Sequence, residues 1–262
     1  MIKITNRDYH SRPGISNSGL GYFKRSPAHY RAYKAGLLGD STEAMKFGTM
    51  IHTAILEPEL FDSQYVVGPD VARNTKIWKE FVVAHPGKEI IKPDEHETCL
   101  KVAGSVMANP TLSHIIRNST REMSGFWRDP ATDIECRFRP DAILVSEYSV
   151  DMFDIKTTRD ASKDKFYWSC MEYGYFRQAA FYMDGYEAIT GDRVDSFTLI
   201  AVEDKPPYIC QAYVLAPEDI ARGRIEYSDL LFRYEECLRT NVWPGYSDGS
   251  IQLLTRPERK YA

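Results

Sequence analysis

The clearest candidates for chemistry lie near the middle of the chain, where a carboxylate and an amine stand two residues apart. Asp154 and Lys156 belong to the run FDIKTT at 153–158. If this run is a strand, successive side chains alternate between its faces, so Asp154 and Lys156 share one face. Asp141 comes just before an earlier apolar run, ILV at 143–145. A tight turn between the two runs would let them pair and bring Asp141 close to Asp154.

Two carboxylates and a lysine at one edge of a sheet suit the hydrolysis of a phosphodiester. Mg²⁺ prefers oxygen ligands and is typically held by one or two carboxylates. Such an ion activates water and neutralises charge on the attacked phosphate. Lys156 could orient that water and stabilise the developing negative charge. Because charged alternation is also common on solvated strand faces, the spacing alone leaves both interpretations open.

Composition predicts a globular, cytosolic protein. Hydrophobic residues make up 43% of the 262 residues and aromatic residues 13%, which is enough for a sizeable core. A run of about 18 apolar residues, as a membrane span needs, does not occur. The first residues, MIKITNRDYHSR, lack an apolar signal segment. The five cysteines are scattered without metal-ligand spacing, so we expect reduced thiols.

Residues 1–40 are predicted to form a basic helical region. They carry seven Lys or Arg residues and two Asp residues, whereas the whole chain has a net charge of −4. Any binding of a polyanion would therefore be local. Ser26 and Pro27 together indicate a helix start, with serine as the cap and proline in the first turn. Aromatic residues among the basic ones suit a groove in which rings stack on bases, but a stripe of them at helical spacing is more often a buried helix face. These aromatic residues are Tyr22, Phe23, Tyr30 and Tyr33.

The remaining elements alternate between helices and strands. A helix that opens at Asp40, as the first residue of a capping box, is predicted to run to Leu56 and to carry Gly48 and His52. Further helices are predicted at 73–84, 94–118, 161–190 (with a potential break at Gly174) and 217–239. Strands are predicted at 122–128, 134–138, 143–145 and 152–157, as one meander, and then at 196–202 and 209–214.

Four segments carry a resemblance to a known family. They are ISNSGLGYFKRSPAHY (15–30), FGTMIHTAILEPELF (47–61), RPDAI with DIKTT (139–143 and 154–158) and FRQAAFYMDGY (176–186). In this order and spacing they resemble the PD-(D/E)XK nuclease superfamily, and within it the exonuclease VIII (RecE) and RecB-like branch. The resemblance implies an α/β (α+β) fold with a restriction-endonuclease-like core, in which helices flank a central mixed sheet.

The resemblance also implies roles for individual residues. The catalytic set would be Asp141, Asp154, Lys156, Gln178 and Tyr182. The metal ligands would be His52, Asp141, Asp154 and the backbone carbonyl of Ile155, with Mg²⁺ as the expected ion and Mn²⁺ as a possible one. The candidate DNA contacts are Ser18, Lys24, Arg25, Tyr30 and Arg31.

Some relatives in this branch carry a four-cysteine iron–sulfur cluster, and the chain departs from their pattern. Ser26 stands before Pro27, where those relatives have the first cysteine. Cys210 and Cys237 do not form the cysteine triplet that those relatives have near the C-terminus. We therefore expect no iron–sulfur cluster.

The function implied by the resemblance is a metal-dependent exodeoxyribonuclease that degrades double-stranded DNA from its ends, 5′ to 3′, and leaves 3′ single strands for recombination. It would work as a homo-oligomeric ring with a single-strand annealing protein, in the cytoplasm of a bacterium or a phage-infected host cell. We expect one nuclease domain over 1–262, with the basic region at 1–40, a core at 41–240 that contains a helical insertion at about 70–118, and a tail at 241–262. Two alternatives stay open, since the fold does not encode the cleavage mode: a structure- or site-specific endonuclease, and a catalytically silent protein that binds DNA ends.

Overall fold

A computed structural model describes residues 1–38, 42–246, 249–251 and 253–254 of the chain. Its helices are Asn6–Ser11 (α1), Asn17–Arg25 (α2), Pro27–Lys34 (α3), Glu43–Leu56 (α4), Pro58–Gln64 (α5), Lys76–Ala84 (α6), Pro93–Ala108 (α7), Pro110–Asn118 (α8), Lys163–Tyr173 (α9), Tyr175–Thr190 (α10) and Pro217–Thr240 (α11). Its strands are Ile2–Lys3 (β1), Tyr65–Val67 (β2), Glu89–Ile91 (β3), Thr120–Arg121 (β4), Met123–Arg128 (β5), Glu135–Phe138 (β6), Ala142–Val145 (β7), Val150–Thr158 (β8), Ser196–Glu203 (β9) and Cys210–Val214 (β10).

A mixed five-stranded sheet forms the centre of the protein, in the order β10-β9-β8-β7-β4. The neighbours β8 and β9 are parallel, and the other neighbouring pairs are antiparallel. A parallel pair needs a long crossover connection, and here α9 and α10 form it. The prediction of a central mixed sheet flanked by helices is confirmed.

The side chains of β8 alternate between two hydrophobic clusters, one on each side of the sheet. Val150 and Met152 belong to the cluster that α2, α9, α10 and α11 cover. Phe153 and Ile155 belong to the cluster that α4, α7 and α8 cover. Because both faces of β8 are buried, a one-residue slip of its register would exchange the two sets of side chains, so the register is strongly specified.

The strands at 123–128 and 135–138 do not continue into the central sheet, so the prediction of a single meander is wrong. β5 pairs with β6 on one side and with β1 on the other, which makes a separate three-stranded antiparallel sheet. Ile15 also forms an isolated bridge to Cys136 of β6. These partners come from the start of the chain, and local patterns in the sequence carry no information on such distant pairing.

Most helix boundaries follow the local signals. Ser26 caps α3 by accepting a hydrogen bond from the backbone N–H of His29, with Pro27 in the first turn, as predicted. The cap of α4 is Thr42, whereas the predicted cap, Asp40, lies outside the described residues. The segment predicted as one helix at 94–118 is two helices, because the side chain of Asn109 caps a new one at Pro110.

The first residues of the chain are held by two arginines of the second sheet and its following loop. Arg137 Nη1 donates to the carbonyl oxygens of Tyr9, His10 and Arg12 at 2.6, 2.9 and 2.6 Å. Arg139 Nη2 donates to the carbonyl oxygen of Ile4 at 3.0 Å. These hydrogen bonds attach residues 4–12 to the body of the protein.

None of the helices among the described residues has both the length and the apolar composition that crossing a bilayer requires.

Candidate active site

The hairpin of β7 and β8 brings the two predicted carboxylates together. Asp141 directly precedes β7, and the register of the hairpin pairs Ala142 with Phe153. Asp141 Oδ2 accepts a 2.6 Å hydrogen bond from the backbone N–H of Ile155. Asp141 therefore lies beside Asp154, and the two residues are only 8% and 2% exposed. The pairing of the two runs that the sequence predicts is present.

Lys156 and Gln178 both donate to Asp154, one to each oxygen. Lys156 Nζ donates to Oδ1 in a short hydrogen bond, as the alternation along β8 predicts. Gln178 Nε2 donates to Oδ2 at 2.9 Å from α10, which packs over the sheet. Both oxygens of this buried carboxylate are thus oriented by neighbouring side chains.

His52 joins the site from the middle of α4. Its Nδ1 lies 3.2 Å from Asp141 Oδ2. A Cβ atom at Gly48, one turn earlier, would lie 3.4 Å from Thr157 Oγ1, so α4 passes close to the end of β8 at this point. The glycine one turn before the histidine was the only sequence signal for this approach, apart from the family resemblance.

Tyr182 lies one turn beyond Gln178 on α10 and borders the same cleft. Its ring packs against Phe138, with centroids 5.5 Å apart. Burial raises the pKa of Tyr182 well above its ordinary value, so the hydroxyl stays protonated. Tyr182 therefore brings a neutral hydroxyl group to the cleft beside Gln178, which contacts Asp154.

Burial and mutual repulsion set the protonation of the carboxylates. Burial, and then the charge of Asp141, raise the pKa of Asp154 to about 6. Burial opposes ionisation of Asp141 as well, but the attraction and hydrogen bond of His52 outweigh it and lower the pKa of that carboxyl. Burial likewise opposes protonation of His52, yet Asp141 holds the pKa of the imidazole above its usual value. Near neutral pH the site thus holds two buried carboxylates beside two basic groups, the ammonium of Lys156 and the imidazole of His52.

These residues lie at the base of an open cleft of about 1170 Å³. Its lining includes every residue from Lys3 to His10, together with parts of α2, α3 and α4. The charged groups along it are five carboxylates (Asp8, Glu57, Glu122, Asp141 and Asp154), four cations (Lys3, Arg7, Arg139 and Lys156), and the two histidines His10 and His52. The carboxylates would repel the phosphates of a nucleic acid, and a bound cation would relieve this repulsion.

Two parts of this cleft were missed by the sequence reasoning. One is the wall formed by residues 3–10, although Thr5 caps α1 in the run TNRD, which is a recognisable helix-start signal. The other is Glu122, which forms a 2.7 Å ion pair with Arg139. Burial, followed by the repulsion of Asp141, raises the pKa of Glu122 to about 7. No local pattern in the sequence would have singled out Glu122.

The candidate DNA contacts do not all lie at the cleft. Ser18 borders the cleft, whereas Lys24, Arg25 and Arg31 lie outside its lining. Lys24 Nζ is 2.9 Å from Glu226 Oε1, and Arg25 Nε donates to the Tyr246 hydroxyl at 2.9 Å.

Tyr30 does not fit the role of a DNA contact. It is only 5% exposed, and its ring packs edge-on against Phe23 and stacks on Trp243. The alternative that the sequence offered for this residue, a buried helix face, is the correct one. By contrast, Tyr22 and Tyr33 of the same region stack on each other at a centroid distance of 4.2 Å and border the cleft.

The donor set fits a hard divalent cation in its chemistry. Within the described ranges no group of three or more His, Cys, Asp or Glu side chains is already arranged to hold a metal ion. Mg²⁺, however, commonly takes one or two carboxylates and completes its shell with water and substrate oxygens. Asp141 and Asp154 supply such a pair; burial and, after it, the repulsion of Asp141 raise the pKa of Asp154, and a bound cation would relieve that repulsion.

The sheet, the flanking helices and the Asp141, Asp154 and Lys156 arrangement define the PD-(D/E)XK nuclease-like class of proteins. The family model "PDDEXK-like domain of unknown function (DUF3799)" matches residues 16–256, and the chain belongs to this family. The match begins after the residues that form the N-terminal wall of the cleft. No curated protein sequence matches the chain.

One solved structure shows the same fold, and two further ones are similar to a lesser degree. A candidate exonuclease from Eubacterium rectale superimposes with a TM-score of 0.67 at 11% identity, over 98% of this chain and 97% of that chain. A phage-related exonuclease from Haemophilus somnus 129PT has a TM-score of 0.36 at 11% identity, over 66% and 90% of the two chains. An alkaline exonuclease from Laribacter hongkongensis has a TM-score of 0.28 at 16% identity, over 66% and 88%. The last two likenesses are too weak to support an argument.

Proposed function

We propose that this protein is a metal-dependent deoxyribonuclease that hydrolyses phosphodiester bonds in DNA. One observation carries the proposal: Asp141, Asp154, Lys156, Gln178 and His52 converge at the base of one open cleft. A protein without catalytic activity has no physical reason to keep two carboxylates and a lysine buried together, because charges removed from water cost free energy.

Each residue of the site has a role in this proposal. Asp141, Asp154 and His52 would hold the divalent ion, Mg²⁺ or Mn²⁺, with the Ile155 carbonyl as a further ligand. When bound, such an ion supplies an activated water and neutralises charge on the phosphate. Lys156 orients that water and stabilises the negative charge that develops on the phosphate. Gln178 keeps Asp154 in place through the 2.9 Å hydrogen bond, and Tyr182, one turn further along α10, lines the path of the DNA.

We further propose that the enzyme is an exonuclease on double-stranded DNA ends, acts 5′ to 3′, and leaves 3′ single strands for recombination. The support is the resemblance of four segments to the exonuclease VIII branch, together with the overall likeness to the candidate exonuclease from Eubacterium rectale. The same resemblance supports one nuclease domain, a homo-oligomeric ring in the cytoplasm, and an annealing protein as partner. Basic side chains outside the cleft, such as Lys24, Arg25 and Arg31, are available to contact DNA within such an assembly.

The test uses linear duplex DNA that is labelled at the 5′ or the 3′ end, with a covalently closed circle in the same tube. Wild type and Lys156→Ala are each incubated with Mg²⁺, with Mn²⁺ and with a chelator. We expect metal-dependent loss of the linear DNA by the wild type alone, an intact circle, and early release of the 5′ label. Cleaved circles would establish the endonuclease instead. DNA that is bound but never cleaved, under all of these conditions, would overturn the proposed hydrolysis and leave the end-binding protein.

A further inference from the structure

The start of α10 is placed by a glycine in a left-handed conformation. Gly174 ends α9 and precedes α10 with φ +71° and ψ 38°. A Cβ atom at this position would lie 2.8 Å from the buried guanidinium of Arg177, so a larger residue meets both backbone strain and a clash. The break makes Tyr175 the first residue of α10, one turn before Gln178. The ring of Tyr175 thereby faces β8, the strand that carries Asp154 and Lys156.

The ring of Tyr175 covers the catalytic lysine candidate. Lys156 Nζ lies 4.6 Å from the centroid of this ring, within the range of a cation–π contact. The same ammonium group donates to Asp154 Oδ1, and the Lys156 side chain is only 14% exposed. Lys156 is therefore held between a carboxylate on one side and an aromatic face on the other.

We propose that Tyr175 is a positioning residue, whose ring face keeps the Lys156 ammonium group aligned for the reaction. This inference rests on the proposed nuclease function. When Asp154 binds a cation, its carboxylate attracts the ammonium group of Lys156 less strongly. The ring of Tyr175 is neutral and does not compete for that cation. The aromatic face thus gives Lys156 a second contact that persists when Asp154 serves as a metal ligand. The contact is effective because it is shielded from water.

The chain offers a matched set of substitutions. Tyr175→Leu removes the aromatic face and keeps an apolar side chain, while Tyr175→Phe keeps the face and removes only the hydroxyl. Tyr173→Leu is the control, because Tyr173 is 60% exposed and its ring, 5.8 Å from that of Tyr175, is not the one that covers Lys156. Thermal unfolding of all three variants checks that each is folded.

We expect Tyr175→Leu to lower kcat about 30-fold, which is the rate equivalent of a desolvated cation–π contact, with KM changed by less than about twofold. Tyr175→Phe and Tyr173→Leu should retain nearly the full kcat of the wild type. A wild-type kcat in Tyr175→Leu overturns the inference. If kcat falls as much in Tyr175→Phe as in Tyr175→Leu, the inference is also overturned, because the hydroxyl group and not the ring face would then be responsible.

A second measurement is independent of catalysis. Protons held over an aromatic face resonate upfield, so the ε-methylene protons of Lys156 should show this shift in the wild type and in Tyr175→Phe, and lose it in Tyr175→Leu. The signal is assigned by its absence in Lys156→Ala. If the wild type cleaves no DNA, the proposed function fails while this spectrum still reports the contact. If the shift is the same in Tyr175→Leu, the positioning role is refuted even in an active enzyme.

Discussion

The strongest prediction concerns Asp154→Asn, which should abolish metal-dependent cleavage and yet stabilise the metal-free protein. Burial and the nearby charge of Asp141 raise the pKa of Asp154 from 3.8 to about 6, so its ionised form is disfavoured in the folded state. Each pKa unit corresponds to about 1.4 kcal/mol, which gives an upper limit of about 3 kcal/mol for the cost of the charge at neutral pH. Asparagine has nearly the same shape without the charge, and Gln178 can turn its amide to present oxygen to the new NH₂ group.

We therefore expect Asp154→Asn to raise the free energy of unfolding by about 1–3 kcal/mol at pH 7.5, which corresponds to an increase in Tm of about 3–8 °C. The measurement is thermal and chemical unfolding in a chelator. Asp151→Asn is the control on the same strand, since Asp151 accepts hydrogen bonds from Ser149 and Ser196 away from the cleft. Asp151→Asn should not raise the free energy of unfolding.

The stabilisation by Asp154→Asn should decrease as the pH is lowered. A carboxyl whose folded-state pKa is raised is destabilising above that pKa, and the penalty disappears as the pH falls toward the unfolded-state value. The advantage of Asp154→Asn should thus be complete above about pH 7 and shrink toward zero near pH 4. A variant less stable than the wild type at pH 7.5, or an advantage that stays constant down to pH 4.5, would refute the reasoning. Adding Mg²⁺ should stabilise only the wild type, so the difference in the free energy of unfolding between Asp154→Asn and the wild type should become smaller.

Other predictions address the same cleft. Lys156→Ala should abolish turnover but leave Mn²⁺ affinity within about threefold by calorimetry, because the lysine is not a ligand; a strong loss of affinity would contradict its assigned role. Gln178→Ala should lower kcat/KM about 10- to 100-fold, since hydrogen bonds to charged groups contribute about 1.5–3 kcal/mol, and unchanged kinetics would exclude the orienting role. The affinity for Mn²⁺ should fall as the pH is lowered through 6, where Asp154 takes up a proton, whereas a flat calorimetric profile between pH 5 and 8 would argue against Asp154 as a ligand. Arg137→Ala should cost about 3 kcal/mol or more, because three backbone carbonyls lose their donor, and should speed proteolysis of residues 1–12 relative to the surface variant Arg128→Ala.

The parts of the site that sequence reasoning found are those that depend on local geometry. Alternation along one strand places Asp154 and Lys156 on one face, and a short hairpin brings Asp141 beside them. Likewise, Ser26 before a proline is a helix start whatever its surroundings, and Gly174 supplies the left-handed break between two helices. Such features follow from the chemistry of a few neighbouring residues, so they can be predicted without the rest of the fold.

The parts that were missed depend on partners distant in the sequence. Membership of β5 and β6 in a second sheet is decided by residues 2–3 and by Ile15, which no local pattern links to them. The place of Glu122 in the cleft also depends on a distant partner, since its carboxylate pairs with Arg139. An amphipathic, aromatic helix face predicts that Tyr30 is either buried or free to bind. Its burial depends on the packing of distant aromatic residues, Tyr234 and Trp243, against its ring.

The N-terminal wall of the cleft has a consequence for the order in which the protein becomes competent during synthesis. Residues 3–10 leave the ribosome well before the arginines that attach them, Arg137 and Arg139, are made. The lysine and the glutamine that orient Asp154 follow later still, at 156 and 178. A nascent chain that ends before Gln178 therefore holds no complete cleft. Cleavage activity, once established, would report on the assembly of segments that lie far apart in the chain.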